Sequence, residues 1–216
     1  MALQYASPVI QDDREVVITA VSLNSQSLEY ASHDLKNDIQ VVLTAVRKRG
    51  YALEYASPEL KANKEVVLAA VNNNGNALKY ASPQLKADRE VVLAAVNNIG
   101  HILLQLSEEL INDREIVLAA ASSFGEIIAY TSTELQADRE VVLTAVLTDD
   151  SAIQYASADL KDELNGKSKE QISSLLQLLY KEGGSSNVSN LLTHNITSRN
   201  RGQDYFEDML GGGFDF

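Results

Sequence analysis

The sequence repeats itself every 25 residues. Tyr5, Tyr30, Tyr55, Tyr80, Tyr130 and Tyr155 stand in register, and Gln105 is the departure from the series. Ser7, Ser32, Ser57, Ser82, Ser107, Ser132 and Ser157 follow without exception. Leu35, Leu60, Leu85, Leu110, Leu135 and Leu160 come three residues later, with Ile10 in the first copy. The apolar runs VVITAV, VVLTAV, VVLAAV, VVLAAV, IVLAAA and VVLTAV begin at 16, 41, 66, 91, 116 and 141. Six full copies and a partial seventh run on without insertion. A fixed period of this length predicts an array in which each unit buries one face against the next.

The runs alone fit a helix or a strand, but their flanks decide for helix. Asp88 supplies an N-cap and Glu90 an acid in the first turn. Ala94 and Ala95 favour helix over strand. Gly50, Gly75, Gly100 and Gly125 follow the runs, where a left-handed C-cap wants glycine. A helix over 89–99 is expected. The segment A-L-x-Y-A-S then predicts a second, shorter helix, and Ser-Pro at 57–58 and 82–83 starts one more turn. The expected fold is an all-α solenoid over 1–164. A capping helix at 165–184 and a flexible tail at 185–216 complete it. SKEQISSLLQLLYKEGG supports the cap through a capping box, Ser168 with Gln171, and apolar residues at helical spacing.

The consensus ALxYASxxLKxDxEVVLxAVxxxG resembles the repeat of the domain-of-unknown-function family forty-one sixteen. The resemblance covers residues 1–164. That family occurs in tandem arrays in proteins of amoeba-dwelling intracellular bacteria and of some protists. The resemblance implies no reaction, ligand or catalytic residue; it implies an effector acting inside a host cell.

Charge narrows the partners. Residues 1–100 carry 10 basic and 11 acidic side chains, whereas residues 101–164 carry 3 and 13. A nucleic-acid binder needs cations to neutralise phosphates, so none is expected here. The acidic C-terminal repeats suit a basic protein partner. Apolar runs of six residues are too short to span a membrane, and the opening MALQYASPVIQDDRE lacks a secretory signal pattern. A cytoplasmic protein is expected, with the resemblance implying passage into a host cytosol.

Little in the composition suggests catalysis. His33, His101 and His194 show no paired ligand spacing, and there is no cysteine. The repeated serines serve as N-caps and the repeated tyrosines as packing residues. No catalytic residue, metal or cofactor is expected. An enzyme site assembled across repeats, from Arg47, His101 and Glu126, is the rival reading; a structural spacer whose tail does the binding is the third.

The letters that drift lie between the long and short helices, where stacking leaves choice free. A partner-binding edge is expected there, from Arg47, Arg49, Tyr51, Asn74, Ile99, His101, Phe124 and Glu126, with Leu23 and Leu147 in equivalent turns. The last residues, DYFEDMLGGGFDF, offer a second motif in Tyr205, Phe206, Glu207, Asp208 and Phe214. Its acidic block and terminal hydrophobe resemble the signal of type IV-secreted bacterial effectors. A linear docking motif is the alternative.

Overall fold

The computed structural model describes residues 2–183. They form an all-α repeat solenoid, with no strand among the described residues. Two compact units divide them. The first holds the residues up to Ala120 together with Tyr130–Ser132, and the second holds the others.

In the first unit the helices Arg14–Leu23, Ile39–Lys48, Lys64–Asn73 and Arg89–Asn98 pack one beside the next. Each begins where expected: Asp13, Asp38, Asn63 and Asp88 accept hydrogen bonds from backbone N–H groups of the first turn. Within the apolar runs that begin at 41, 66 and 91 the first, second, fifth and sixth positions are the most deeply buried, as at Val91, Val92, Ala95 and Val96, whereas Val16 at the start of the first run is exposed. This pattern places one stripe of the helix against each neighbour. Leu68 and Leu93, at the third position, are only half-buried. The core is completed by the fully buried Leu28, Leu53 and Leu103 of the segments that follow.

Those segments are the second, shorter helices expected after each run, and they are of the 3-10 type: Gly50–Tyr55, Gly75–Tyr80 and Gly100–Gln105. Each is held to six residues by an extended residue at either end. So short a piece closes i to i+3 hydrogen bonds readily. A single α-turn follows, Pro58–Lys61 or Pro83–Lys86, with proline at its start as expected. Ser32, Ser57 and Ser82 cap these turns by accepting from the N–H of Leu35, Leu60 and Leu85, but Ser7, Ser107 and Ser157 make no such bond.

The glycines correct an expectation. No repeat glycine has a left-handed φ; among the described residues only Gly166 does, at 75°. A Cβ on Gly50 would lie 2.3 Å from the carbonyl oxygen of Ala70, and one on Gly75 would lie 2.4 Å from that of Ala95. Glycine is there because the next repeat's long helix comes too close for a side chain. The second unit repeats the arrangement: a Cβ on Gly125 would lie 2.3 Å from the Ala145 oxygen.

In the second unit the helix Lys169–Gly183 packs on Arg139–Thr148 and buries Ile172 and Leu176. Its capping box forms: the Ser168 N–H donates to Gln171 Oε1 at 2.9 Å, and the Gln171 N–H donates back to Ser168 Oγ at 3.4 Å. The tail motif of Tyr205, Phe206, Glu207, Asp208 and Phe214 lies outside the described residues.

Successive repeats are also joined by ion pairs that span 24 residues. Arg14 reaches Asp38 at 2.7 Å, Lys64 reaches Asp88 at 2.9 Å, and Arg89 reaches Asp113 at 3.0 Å. The first residue of one long helix thus pairs with the N-cap of the next. Hydrogen bonds from Arg14 and Lys64 hold the Asp38 and Asp88 carboxyls below the ordinary carboxylate range. At Asp113 burial pushes upward, but Arg89 and the backbone donors outweigh it. A carboxyl depressed on folding stabilises the fold above its unfolded pKa, and that contribution is lost as pH falls through the folded value. The urea midpoint should therefore decline as pH drops below about 4. The decline should be shallower in Asp38→Asn/Asp88→Asn, since Asn63 shows that asparagine still caps at this slot. An unchanged acid limb would exclude these pairs as its cause.

Candidate functional site

Each turn from long helix to 3-10 helix passes through one extended residue, such as Arg49 at φ −150° and ψ 111°. The turns are not free of stacking, contrary to the sequence expectation. The Asn73 Oδ1 accepts from the Gly50 N–H at 2.6 Å while its Nδ2 donates to the Arg47 carbonyl at 3.0 Å. One repeat later Asn98 does the same, accepting from Gly75 at 2.8 Å and donating to the Asn72 carbonyl at 3.1 Å. Lys48 Nζ donates to the Ser22 carbonyl at 2.6 Å. These side chains stitch each turn to its neighbour. The recurring Asn two places before glycine was the visible sign of it.

On that stitched edge the expected residues divide by exposure. Arg47, Arg49 and His101 are exposed, and Leu23 is 76% exposed. Tyr51, Asn74 and Ile99 are half-buried. Asn74 spends its Oδ1 on the N–H of Asn76 at 3.0 Å, as Asn24 does on that of Gln26. Phe124 and Glu126 belong to the second unit and are half-buried there. Glu126 Oε1 accepts from the Ser151 hydroxyl at 3.3 Å.

Sequence reasoning missed an aromatic cluster beside this edge. Tyr51 and Tyr80, from successive repeats, meet edge to face with centroids 6.2 Å apart. The Lys79 ammonium lies 5.2 Å from the Tyr51 centroid and 4.7 Å from that of Tyr80. Tyr80 favours its charged form. Two of the repeated tyrosines are open to solvent, Tyr5 at 83% and Tyr130 at 60%, while Tyr30, Tyr55, Tyr80 and Tyr155 are half-buried. Burial pushes the Tyr55 phenol up, and the carboxylates of Glu29 and Glu54 add to the shift. Tyrosine and arginine are among the residue types enriched at the anchoring positions of protein interfaces.

Among the described residues no three His, Asp or Glu side chains gather as a metal site, and no helix is long and apolar enough to cross a membrane. A family model described as "Domain of unknown function (DUF4116)" matches residues 1–36, 13–61, 63–111 and 113–161. Its last three matches start two sequence periods apart. No curated protein and no solved structure matches the chain.

Proposed function

We propose that this chain, which belongs to the DUF4116 family, is a non-enzymatic scaffold that binds a protein through its turn edge. One observation carries the reading. Leu23, Arg47, Arg49 and His101 project to solvent from turns whose backbones Lys48, Asn73 and Asn98 tie to one another. Side chains presented from a fixed backbone lose less entropy when a partner orders them. Two arginines, an apolar residue and an imidazole on one edge have the composition of an interface.

Changing Leu23, Arg47, Arg49 and His101 together to Ser should leave the unfolding midpoint close to wild type, because exposed changes each cost under about 0.5 kcal/mol. Capture of the partner from host lysate should fall at least about tenfold, since a few anchors dominate interface energy. Tyr51, Ile99 and Phe124 are kept, because substituting half-buried residues would mix folding with binding. Undiminished capture by the fourfold variant would remove the turn edge from the interface. Repeating the capture without residues 204–216 separates the edge from the tail.

An adaptor or inhibitor translocated into a host cell is the form this scaffold takes in our reading. That half is supported by the repeat's resemblance and by the acidic, aromatic pattern of residues 204–216. A reporter fusion lacking 204–216 that still reached the host cytosol would sink it.

A further inference from the structure

The regular stitching of the first copies fails at the fifth serine slot. Between the earlier repeats a backbone bond joins the serine slot to the preceding α-turn: the Ser32 N–H donates to the Gln11 carbonyl at 2.9 Å, Ser57 to Lys36 at 3.0 Å, and Ser82 to Lys61 at 2.9 Å. Ser107 makes no such bond to Lys86. The cause is local. The residue before the serine is a buried alanine at 31, 56 and 81, and Leu106 takes its place here. Leucine is larger than the alanine this buried slot holds elsewhere, and the backbone there has φ −97°, ψ 174° against the −66°, 159° of Ala81. Gln105 also stands where the other copies have tyrosine.

A groove of about 370 Å³ opens along this break. Leu78, Ile102, Leu106 and Leu110 give it an apolar wall, Lys79 and Lys86 line it too, and no carboxylate does among the described residues. Ser107 and Lys86, whose N–H and C=O are left unjoined, both border it.

We propose that this groove receives an extended peptide of a partner protein, one carrying a large apolar side chain flanked by carboxylates. A peptide group offers a C=O to Ser107 and an N–H to Lys86, replacing the bond that Leu106 prevents. The apolar side chain fills the wall, and the carboxylates face the two lysines. The inference rests on the reading of the chain as a protein-binding scaffold and adds the class of ligand.

Ser107 sits at φ −68° with an extended residue before it, so proline fits without strain. Ser107→Pro removes the backbone N–H and the hydroxyl, neither of which the fold uses. A displayed library of random seven-residue peptides, selected on the full chain, should enrich acidic sequences with one large apolar residue. A synthetic peptide of the enriched sequence should bind Ser107→Pro about three- to tenfold more weakly, the worth of one hydrogen bond. Lys86→Glu, a change at an exposed side chain, should weaken it further. Leu106→Ala should close the groove, protect the Ser107 amide from hydrogen exchange and abolish peptide binding. Enrichment of basic peptides, or of none, overturns the proposal, as does equal binding to Ser107→Pro and wild type. Partner capture lost in the turn-edge variant but intact in Ser107→Pro and Lys86→Glu would refute the groove and leave the scaffold standing.

Discussion

Leu53→Ala should destabilise the chain by about 2–5 kcal/mol, the cost of truncating a leucine with no exposed surface. Leu53 lies in the 3-10 helix Gly50–Tyr55, which packs against the long helices on both sides of it. Its removal leaves a cavity that two repeats would have to close. Leu93→Ala, in the middle of a long helix, should cost clearly less, because Leu93 is half-buried. Urea unfolding of the two variants side by side decides it. Equal losses would mean that the 3-10 layer is no more central than the outer face of the long helices.

Gly50→Ala should cost about 1–3 kcal/mol or more, as overpacking does. The new methyl would meet a backbone oxygen at 2.3 Å, and a carbonyl inside a helix cannot turn away as a side chain can. Gly166→Ala is the contrast: nothing lies within 4 Å of its Cβ, and only the left-handed φ resists substitution, at about 1–2 kcal/mol. The two glycines also part company over asparagine. Asparagine tolerates a left-handed φ and should be accepted at 166, whereas at 50 it should be worse than alanine. A Gly50→Asn variant as stable as wild type would restore the C-cap explanation.

The helix starts were legible because an N-cap is written in a few adjacent letters, Asp88-Arg89-Glu90. The repeat glycines were also found, but with the wrong reason. A glycine that avoids a neighbour and one that turns the chain look alike until the neighbour is placed. The choice of 3-10 over α-helix depended on how tightly both ends of a six-residue segment are held, which the letters A-L-x-Y do not express. What Asn73 and Asn98 bond to was not legible, because their partners are backbone atoms of the preceding repeat, and any sequence supplies those. The break at Gln105 was visible as an exception, but its meaning came from Leu106, whose size matters only against a buried alanine slot.

The bridging bonds bear on how such a gene can change in length. Ser57 to Lys36, Ser82 to Lys61, and the pairs that begin at Arg14, Lys64 and Arg89 each join one copy to the copy beside it. A recombination that excises the codons for residues 58–82 would join Ser57 to Pro83, a junction already written at Ser82-Pro83. The serine amide would still meet a lysine carbonyl, and the next α-turn would still open on proline. Copy number can therefore rise or fall by whole units without redesigning an interface. The turn edge would gain or lose one position each time, so length itself becomes a variable on which selection for a partner can act.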